Sequence, residues 1–247
     1  METHRAVELS IIVPCLNERK NLPIILPRLA QLILDHKLDA ELIILDDASV
    51  DETSIVAQEI MSRYQGIQWR LFRRYQPRRG YGAVVRFGLA HGLGQYAISV
   101  SADNVDPIEM IPDFLQKMRA GAAMVQCSRY LRSEDANTIP FKYKFYQAIY
   151  RRFVWLLLGE NIRDSTYSFK MYDRVQMLAV GLSSNRFSIS PEITFKTVLS
   201  GGKIIYVPGS QGTRIYGISK FRFMKEGRGF AWVLFRSGLH RLGILWF

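Results

Sequence analysis

Residues 9–18, LSIIVPCLNE, pass from an apolar, β-branched run into a polar turn that carries an acid. Residues 41–53, ELIILDDASVDET, repeat the change, with Asp46 and Asp47 closing the run Leu42–Leu45. Residues 96–106, YAISVSADNVD, repeat it again, and the run Tyr96–Val100 gives way to Asp103 and Asp106. Short continuous apolar runs bounded by turn residues are what strands buried on both faces look like.

Helical patterns separate these runs. Asn21 to His36 places Leu22, Ile25, Leu26, Leu29, Leu32 and Ile33 at helical spacing. Ser49 to Glu52 has the S-x-x-E form of a capping box and predicts a helix through about Tyr64. A short strand over 67–72, a glycine-bearing helix from Gly80 to His91 and a helix from Asp106-Pro107 to about Arg119 follow, then a strand over 122–127. Such alternation with short links predicts an α/β, Rossmann-like, mostly parallel sheet over the first 128 or so residues. Beyond Arg129, residues 130–142 read as a loop, Asp173 to Leu182 and Ser190 to Ser200 as helices, and Lys203 to Val207 as a strand.

The carboxyl ends of parallel strands gather along one crevice, where open α/β sheets bind ligands. Several carboxylates on one crevice repel each other unless they hold something. A nucleotide base or ribose offers N–H and O–H donors; a divalent cation bridging to phosphates is the other solution. Asp46 and Asp47, adjacent at the end of an apolar strand, are costly to bury without such a partner. Asn17 and Glu18 read equally as nucleotide neighbours or as a helix cap. Asp103 is the metal candidate and Asp106 a second, although Asp106 before Pro107 also reads as a cap. Arg78, Arg79, Gly80 and Gly82 open a helix, whose N-terminus favours anions, but one Gly-x-Gly after a loop is a weak signal.

The chain has 247 residues, 48% apolar and 22% charged, and carries a net charge of +11. That excess points to an anionic partner: nucleic acid, a phosphorylated substrate or an anionic membrane face. No apolar stretch approaches the roughly 18 residues of a membrane span, and the first ten residues resemble neither a signal nor a transit peptide. Cys15 and Cys127 fit no metal or redox spacing and read as reduced core thiols.

The ordered set SIIVPCLNERKNL, ELIILDDASVDET, RRGYGAVVRFG, SADNVDPIEMIPDF and CSRY resembles family-2 glycosyltransferases of GT-A fold. RDSTYSFKMYDR and VPGSQGTRIYGISK resemble later segments of the branch containing dolichyl-phosphate mannose synthases and related polyprenyl-phosphate glycosyltransferases. The resemblance covers about residues 8–220. It divides the chain into a GT-A domain over 1–220, with a nucleotide-sugar half to about 128 and an acceptor half from about 129, and an amphipathic segment over 221–247.

What the resemblance implies is residue-specific. Pro14, Asn17, Glu18, Asp46 and Asp47 match positions around the nucleotide. Asp103 matches the second Asp of an Asp-x-Asp motif that holds Mg²⁺ or Mn²⁺ and the donor diphosphate. Arg129 matches an arginine that meets the acceptor phosphate. Arg214 and Lys220 match basic positions near the donor and acceptor phosphates. Several positions depart from the pattern. Ser101 and Val105 replace two expected cation ligands, Tyr167-Ser168 replaces Ser-Gly, and Ile218 replaces Glu. The second acceptor arginine has no equivalent; Lys142 and Lys144 are nearest.

The implied reaction is inverting, metal-assisted sugar transfer from a nucleotide-diphosphate sugar to a polyprenyl phosphate. The implied setting is cytoplasmic, peripheral at the cytoplasmic face of a membrane, without nucleic acid. Residues 143–158 and 228–247 mix aromatic, apolar and basic residues, as interfacial segments do. The tail also reads as a contact in a homo-oligomer. Rival readings remain open: transfer to a glycan hydroxyl, with Glu192 as the base to watch; a sugar-phosphate nucleotidyltransferase, against which PCLNERKNLP lacks the glycine-rich loop; a basic nucleotide- or nucleic-acid-binding protein; and a degenerate, non-catalytic transferase.

Overall fold

The computed structural model describes residues 6–75, 80–137, 139–217 and 223–247. The elements alternate from the start: β1 (Leu9–Cys15), α1 (Leu22–Asp35), β2 (Ala40–Asp46), α2 (Thr53–Arg63), β3 (Gln68–Arg73), α3 (Tyr81–His91) and β4 (Tyr96–Ser99). A 3₁₀ turn (Ile108–Met110) leads into α4 (Ile111–Arg119), then β5 (Met124–Ser128). After a second 3₁₀ turn (Glu134–Ala136) come α5 (Phe141–Leu158), β6 (Lys170–Asp173), α6 (Arg174–Val180), α7 (Ile189–Leu199), β7 (Ile204–Pro208) and α8 (Phe223–Arg241).

Among the described residues the strands form one seven-stranded sheet in the order β3-β2-β1-β4-β6-β5-β7. Strand β6 runs antiparallel to both β4 and β5, and the other pairs are parallel. The mostly parallel α/β sheet expected from the sequence is therefore present. β6 is the addition: the sequence suggested no strand there, because a run of four residues that starts on a lysine has no readable period.

Alternation along β1 divides the core. Leu9, Ile11 and Val13 face α1, α2 and α4, and Ile12 faces α3, α6 and α7. Helix α1 buries Leu22, Ile25, Leu26, Leu29, Ala30, Leu32 and Ile33. Each Leu or Ile so placed contributes about 1.5–3 kcal/mol relative to exposure. Helices α5 and α8 make a separate, smaller cluster of Val154, Leu158, Val233 and Leu234 against Phe195 of α7. Cys15 and Cys127 are free and buried, as the spacing predicted, and burial pushes the Cys127 thiol up to about 12.

Two local readings are corrected. The Ser49–Glu52 capping box does not form: α2 begins at Thr53 without a side-chain cap from Glu52, and Ser49 Oγ accepts the Asn17 N–H at 2.8 Å. The glycines that open α3 serve packing. A Cβ on Gly80 would lie 2.6 Å from the Asn185 carbonyl oxygen, and one on Gly82 2.5 Å from that of Ser184. Arg78 and Arg79 lie outside the described residues.

Candidate active site

The turns after β1, β2 and β4 each contain a non-glycine residue in the left-handed region: Asn17 (φ 56°), Ala48 (φ 58°) and Asn104 (φ 64°). Such conformations cost of order 1 kcal/mol each and persist where surrounding bonds impose them. Those bonds are visible. Asn17 Oδ1 accepts the Val50 N–H at 2.9 Å, the Glu18 N–H donates to Thr53 Oγ1 at 2.9 Å, and the Asp47 N–H donates to the Cys15 carbonyl at 2.9 Å. Asn17 is thus a clip between the first two turns and does not cap α1.

The two aspartates of the second turn divide their work. Asp46, 1% exposed, accepts the Ser49 N–H at 2.8 Å and the Ser54 hydroxyl, with Arg73 Nε at 3.7 Å. It holds the turn. Asp47 accepts from Arg74 Nη1 at 2.9 Å and from the Gly80 N–H at 3.3 Å, which ties the second turn to the start of α3. Pro14 lies in β1, paired with Leu45 of β2, one residue before Cys15, the register partner of Asp46. Glu18, 8% exposed, accepts from Asn21 Nδ2 at 2.6 Å and adds negative charge near Asp103.

In the third turn the candidates separate. Asp106 accepts the Ser101 N–H at 2.6 Å on one oxygen and the Tyr167 hydroxyl at 2.8 Å on the other. Both oxygens are engaged within the fold and neither caps the helix that follows; burial pushes the carboxyl up to about 6. Asp103 forms an ion pair through Oδ2 with Arg214 Nη2. Its Oδ1 is buried without a hydrogen-bond partner. Burial raises the Asp103 carboxyl above its usual range, Arg214 opposes the rise and Glu18 adds to it.

These donors can be tested against the divalent cation that the fold family implies. Magnesium-type sites commonly use one or two carboxylates and complete their shell with substrate phosphates and water. Asp103 Oδ1, an orphaned buried anionic oxygen, fits as one such ligand. Ser101 and the buried Val105 add no carboxylate, and no group of three or more His, Cys, Asp or Glu side chains able to share a cation occurs among the described residues.

A second charged centre lies at the carboxyl end of β5. Arg129 binds Asp164 through Nε to Oδ2 at 2.8 Å and Nη2 to Oδ1 at 3.1 Å. The guanidinium lies 4.5 Å from the Tyr167 ring centroid, and Nη1 donates to Gln211 Oε1 at 3.3 Å. Burial works against its charge, yet the Asp164 carboxylate holds Arg129 above the ordinary guanidinium range.

Residues 209–216 join the two centres. Gln211 meets Arg129, the Gly212 N–H donates to the Val105 carbonyl at 2.8 Å, Arg214 meets Asp103, and the Tyr216 carbonyl accepts from Asn21 Nδ2 at 3.3 Å. Lys220 lies outside the described residues.

On α5, Lys142 and Lys144 sit in the first turn, and Lys142 Nζ lies 5.1 Å from the Tyr143 ring centroid. Gln147, further along α5, connects the helix to Arg129. Gln147 Oε1 accepts from Thr166 Oγ1 at 3.5 Å, and Thr166 Oγ1 accepts in turn from Arg129. One turn on, Arg151 has a buried Nε without a hydrogen-bond partner, and its charge reaches the hydroxyl of Tyr130. Arg151 therefore adds positive charge on the side of α5 that carries Gln147. Its signal lies in the helical spacing with the buried Gln147, Val154 and Leu158.

Glu192, the base that a hydroxyl acceptor would call for, is fully buried. It accepts the N–H groups of Ser183 and Ser184 at 2.8 Å each, which shapes the loop against which α3 packs.

The model of Glycosyl transferase family 2 matches residues 10–177. A dolichol-phosphate mannosyltransferase of Pyrococcus furiosus is 29% identical over 218 residues, 87% of this chain and 60% of its own. The chain therefore spans well under two thirds of that relative's length. A bactoprenol glucosyl transferase of Shigella phage SfV is 26% identical over 222 residues, 89% of this chain and 68% of its own. Glucosyl-3-phosphoglycerate synthase of Mycobacterium tuberculosis, solved with Mn²⁺, UDP and phosphoglyceric acid, superposes with a TM-score of 0.66 at 20% identity, covering 97% of this chain and 80% of that one. It shares the fold.

Proposed function

The chain belongs to glycosyl transferase family 2, and from that membership we propose that it transfers a sugar from a nucleoside-diphosphate sugar to the phosphate of a polyprenyl lipid, with inversion. The observation that carries the reading is the stretch 209–216, which touches Asp103 and Arg129 at once. It supports two anionic centres side by side: the donor's diphosphate at Asp103 and Arg214, and the acceptor's phosphate at Arg129. Names of the relatives, which act on dolichol phosphate and bactoprenol, point the same way.

A phosphate monoester is already anionic near neutral pH, with a second pKa of about 6. It needs no general base, in keeping with the burial of Glu192 inside a loop contact. What the protein must supply is proximity and relief of charge repulsion. Asp164 and the Tyr167 ring fix the Arg129 guanidinium before any acceptor arrives, so little ordering remains to be done at binding. Arg151 adds positive charge from α5. Asp47, Asn17 and Glu18 border the nucleotide, and Asp46 holds the turn that carries Asp47. Arg214 neutralises charge on the leaving diphosphate. A divalent cation at Asp103 would supply further neutralisation there.

The acceptor's lipid tail fits the surface beside this centre. Helix α5 exposes Phe141, Phe145, Ile149 and Phe153 at four-residue steps, with Lys142 and Arg152 exposed among them. Helix α8 and the segment after it expose Trp232, Phe235, Leu242, Ile244 and Trp246. No helix among the described residues is long and apolar enough to cross a membrane. Aromatic side chains mixed with basic ones suit the headgroup level of an anionic leaflet, and we read these faces as a peripheral membrane contact.

The test is transfer itself. Purified protein is incubated with labelled nucleotide sugars, Mg²⁺ or Mn²⁺, and a short polyprenyl phosphate. Labelled lipid phosphate supports the reading; its absence with every common donor contradicts it.

A further inference from the structure

In the third turn Asp103 has a carboxylate oxygen, Oδ1, without a hydrogen-bond partner, and the other half of that carboxylate is already taken. Arg214 Nη2 binds Oδ2, with Asp103 10% and Arg214 24% exposed at the side chain. The arginine is delivered by a tethered stretch. The Gly212 N–H is fixed on the Val105 carbonyl, two residues beyond Asp103, and the Tyr216 carbonyl on Asn21. Thus the guanidinium is held where a divalent cation on Asp103 would stand close to it. Two cations on one carboxylate repel each other, and burial screens them less than water would. A nucleoside diphosphate changes the balance, because its oxygens accept from a guanidinium at least as well as a carboxylate does.

We propose that Arg214 is the counter-charge of Asp103 in the free protein and passes to the donor's diphosphate on binding, so that the divalent cation and the nucleotide bind together and not in sequence. The proposal rests on the transferase reading of this site and deepens it. No covalent step is involved. One ion pair, Asp103–Arg214, is exchanged for two: Arg214 with diphosphate, and Asp103 with the cation. Linkage makes the effect reciprocal: nucleotide tightens the cation as much as the cation tightens nucleotide.

The sign of one substitution distinguishes this from a supporting role. Mn²⁺ binding is titrated by electron paramagnetic resonance with the whole chain, alone and with UDP or GDP. In the wild type, the nucleotide that binds should tighten Mn²⁺ by roughly 10–100-fold. Arg214→Gln should bind Mn²⁺ alone about 5-fold or more tighter than the wild type, yet bind the nucleotide with Mn²⁺ about 10-fold more weakly. Arg214→Lys, which keeps the charge, should stay near the wild type for Mn²⁺ alone. Unchanged or weaker Mn²⁺ binding by Arg214→Gln overturns the proposal, since loss of turn support would give that result. Wild-type Mn²⁺ affinity that ignores a bound nucleotide overturns it without any variant. Failure of both UDP and GDP to bind contradicts the transferase reading instead, while the Mn²⁺ titration of Arg214→Gln still decides the exchange at Asp103.

Discussion

Arg129 and Asp164 form a two-pronged ion pair, Nε to Oδ2 at 2.8 Å and Nη2 to Oδ1 at 3.1 Å, in which the aspartate is fully buried. Removing one partner of such a pair strands the other charge, at a cost of about 3–5 kcal/mol. Arg129→Ala should therefore lower stability as well as transfer. The double variant Arg129→Met/Asp164→Leu should recover much of that stability and none of the transfer, by chemical denaturation and product assay.

Asp164→Asn is the gentler probe. It keeps an acceptor for Arg129 but removes the charge that orients it. A misplacement of about 1 Å at a reacting group can cost 10²-fold in rate. Transfer should fall about 10–100-fold on that basis, while nucleotide binding by calorimetry stays at the wild-type value. Equal losses in both would mean that Asp164 supports the whole crevice.

Gly82→Ala tests packing against propensity. Alanine in place of glycine within a helix stabilises by about 0.5–1 kcal/mol on propensity alone. Here the new Cβ would meet the Ser184 carbonyl oxygen at 2.5 Å and that of Arg186 at 2.6 Å. Neither is a flexible side-chain end, so the variant should lose about 1–3 kcal/mol, the usual cost of overpacking. A gain in melting temperature would contradict the contact between α3 and the 184–186 loop.

Lys170 gives the pH dependence. Its Nζ is buried and donates to the Ser165 and Ser190 carbonyls and to Thr194 Oγ1. Burial pushes its ammonium down to about 7; Asp164 opposes that shift and Arg129 adds to it. Below about pH 7 native and unfolded chains both hold the proton, and the native chain bears the cost of the buried charge. From about 7 to 10.5 only the unfolded chain holds it, so this lysine makes stability rise with pH. The stability of the wild type relative to Lys170→Met should increase between pH 6.5 and 9, roughly one linkage unit of about 1.4 kcal/mol per pH unit at most. A flat difference across that range would contradict the assignment.

The membrane reading predicts a split between binding and chemistry. Phe145→Glu with Trp232→Glu should reduce co-sedimentation with anionic vesicles while leaving transfer to a short, water-soluble polyprenyl phosphate near the wild-type rate. Both side chains are exposed, so the stability of the chain should change little. If vesicle binding were unaffected, these faces would be contacts of another kind.

Residues that face the core through their own strand or helix were legible in the sequence. The runs that became β1, β2 and β4, and the stripe of α1, announce themselves because each is buried continuously or at one period. What escaped depends on partners far along the chain. Asp106 reads locally as a cap before a proline, but Tyr167, which takes its second oxygen, is 61 positions away. Ser49 and Glu52 have the spacing of a capping box, but the Ser49 hydroxyl serves Asn17, 32 positions back. Asp46 and Asp47 look alike in sequence, and only the positions of Ser54 and Arg74 tell them apart. Arg151 reads in the sequence only as one basic residue of the interfacial segment 143–158, because the link from α5 to Arg129 runs through Gln147 and Thr166, which no local pattern pairs.

The central claim is that the acceptor is a lipid phosphate. Its most direct measurement offers the protein one labelled nucleotide sugar at a time with two acceptors of equal chain length, a polyprenyl phosphate and the corresponding polyprenol. The account predicts label on the phosphate alone, from at least one donor. Label on the polyprenol, or on neither lipid from any donor, would contradict it.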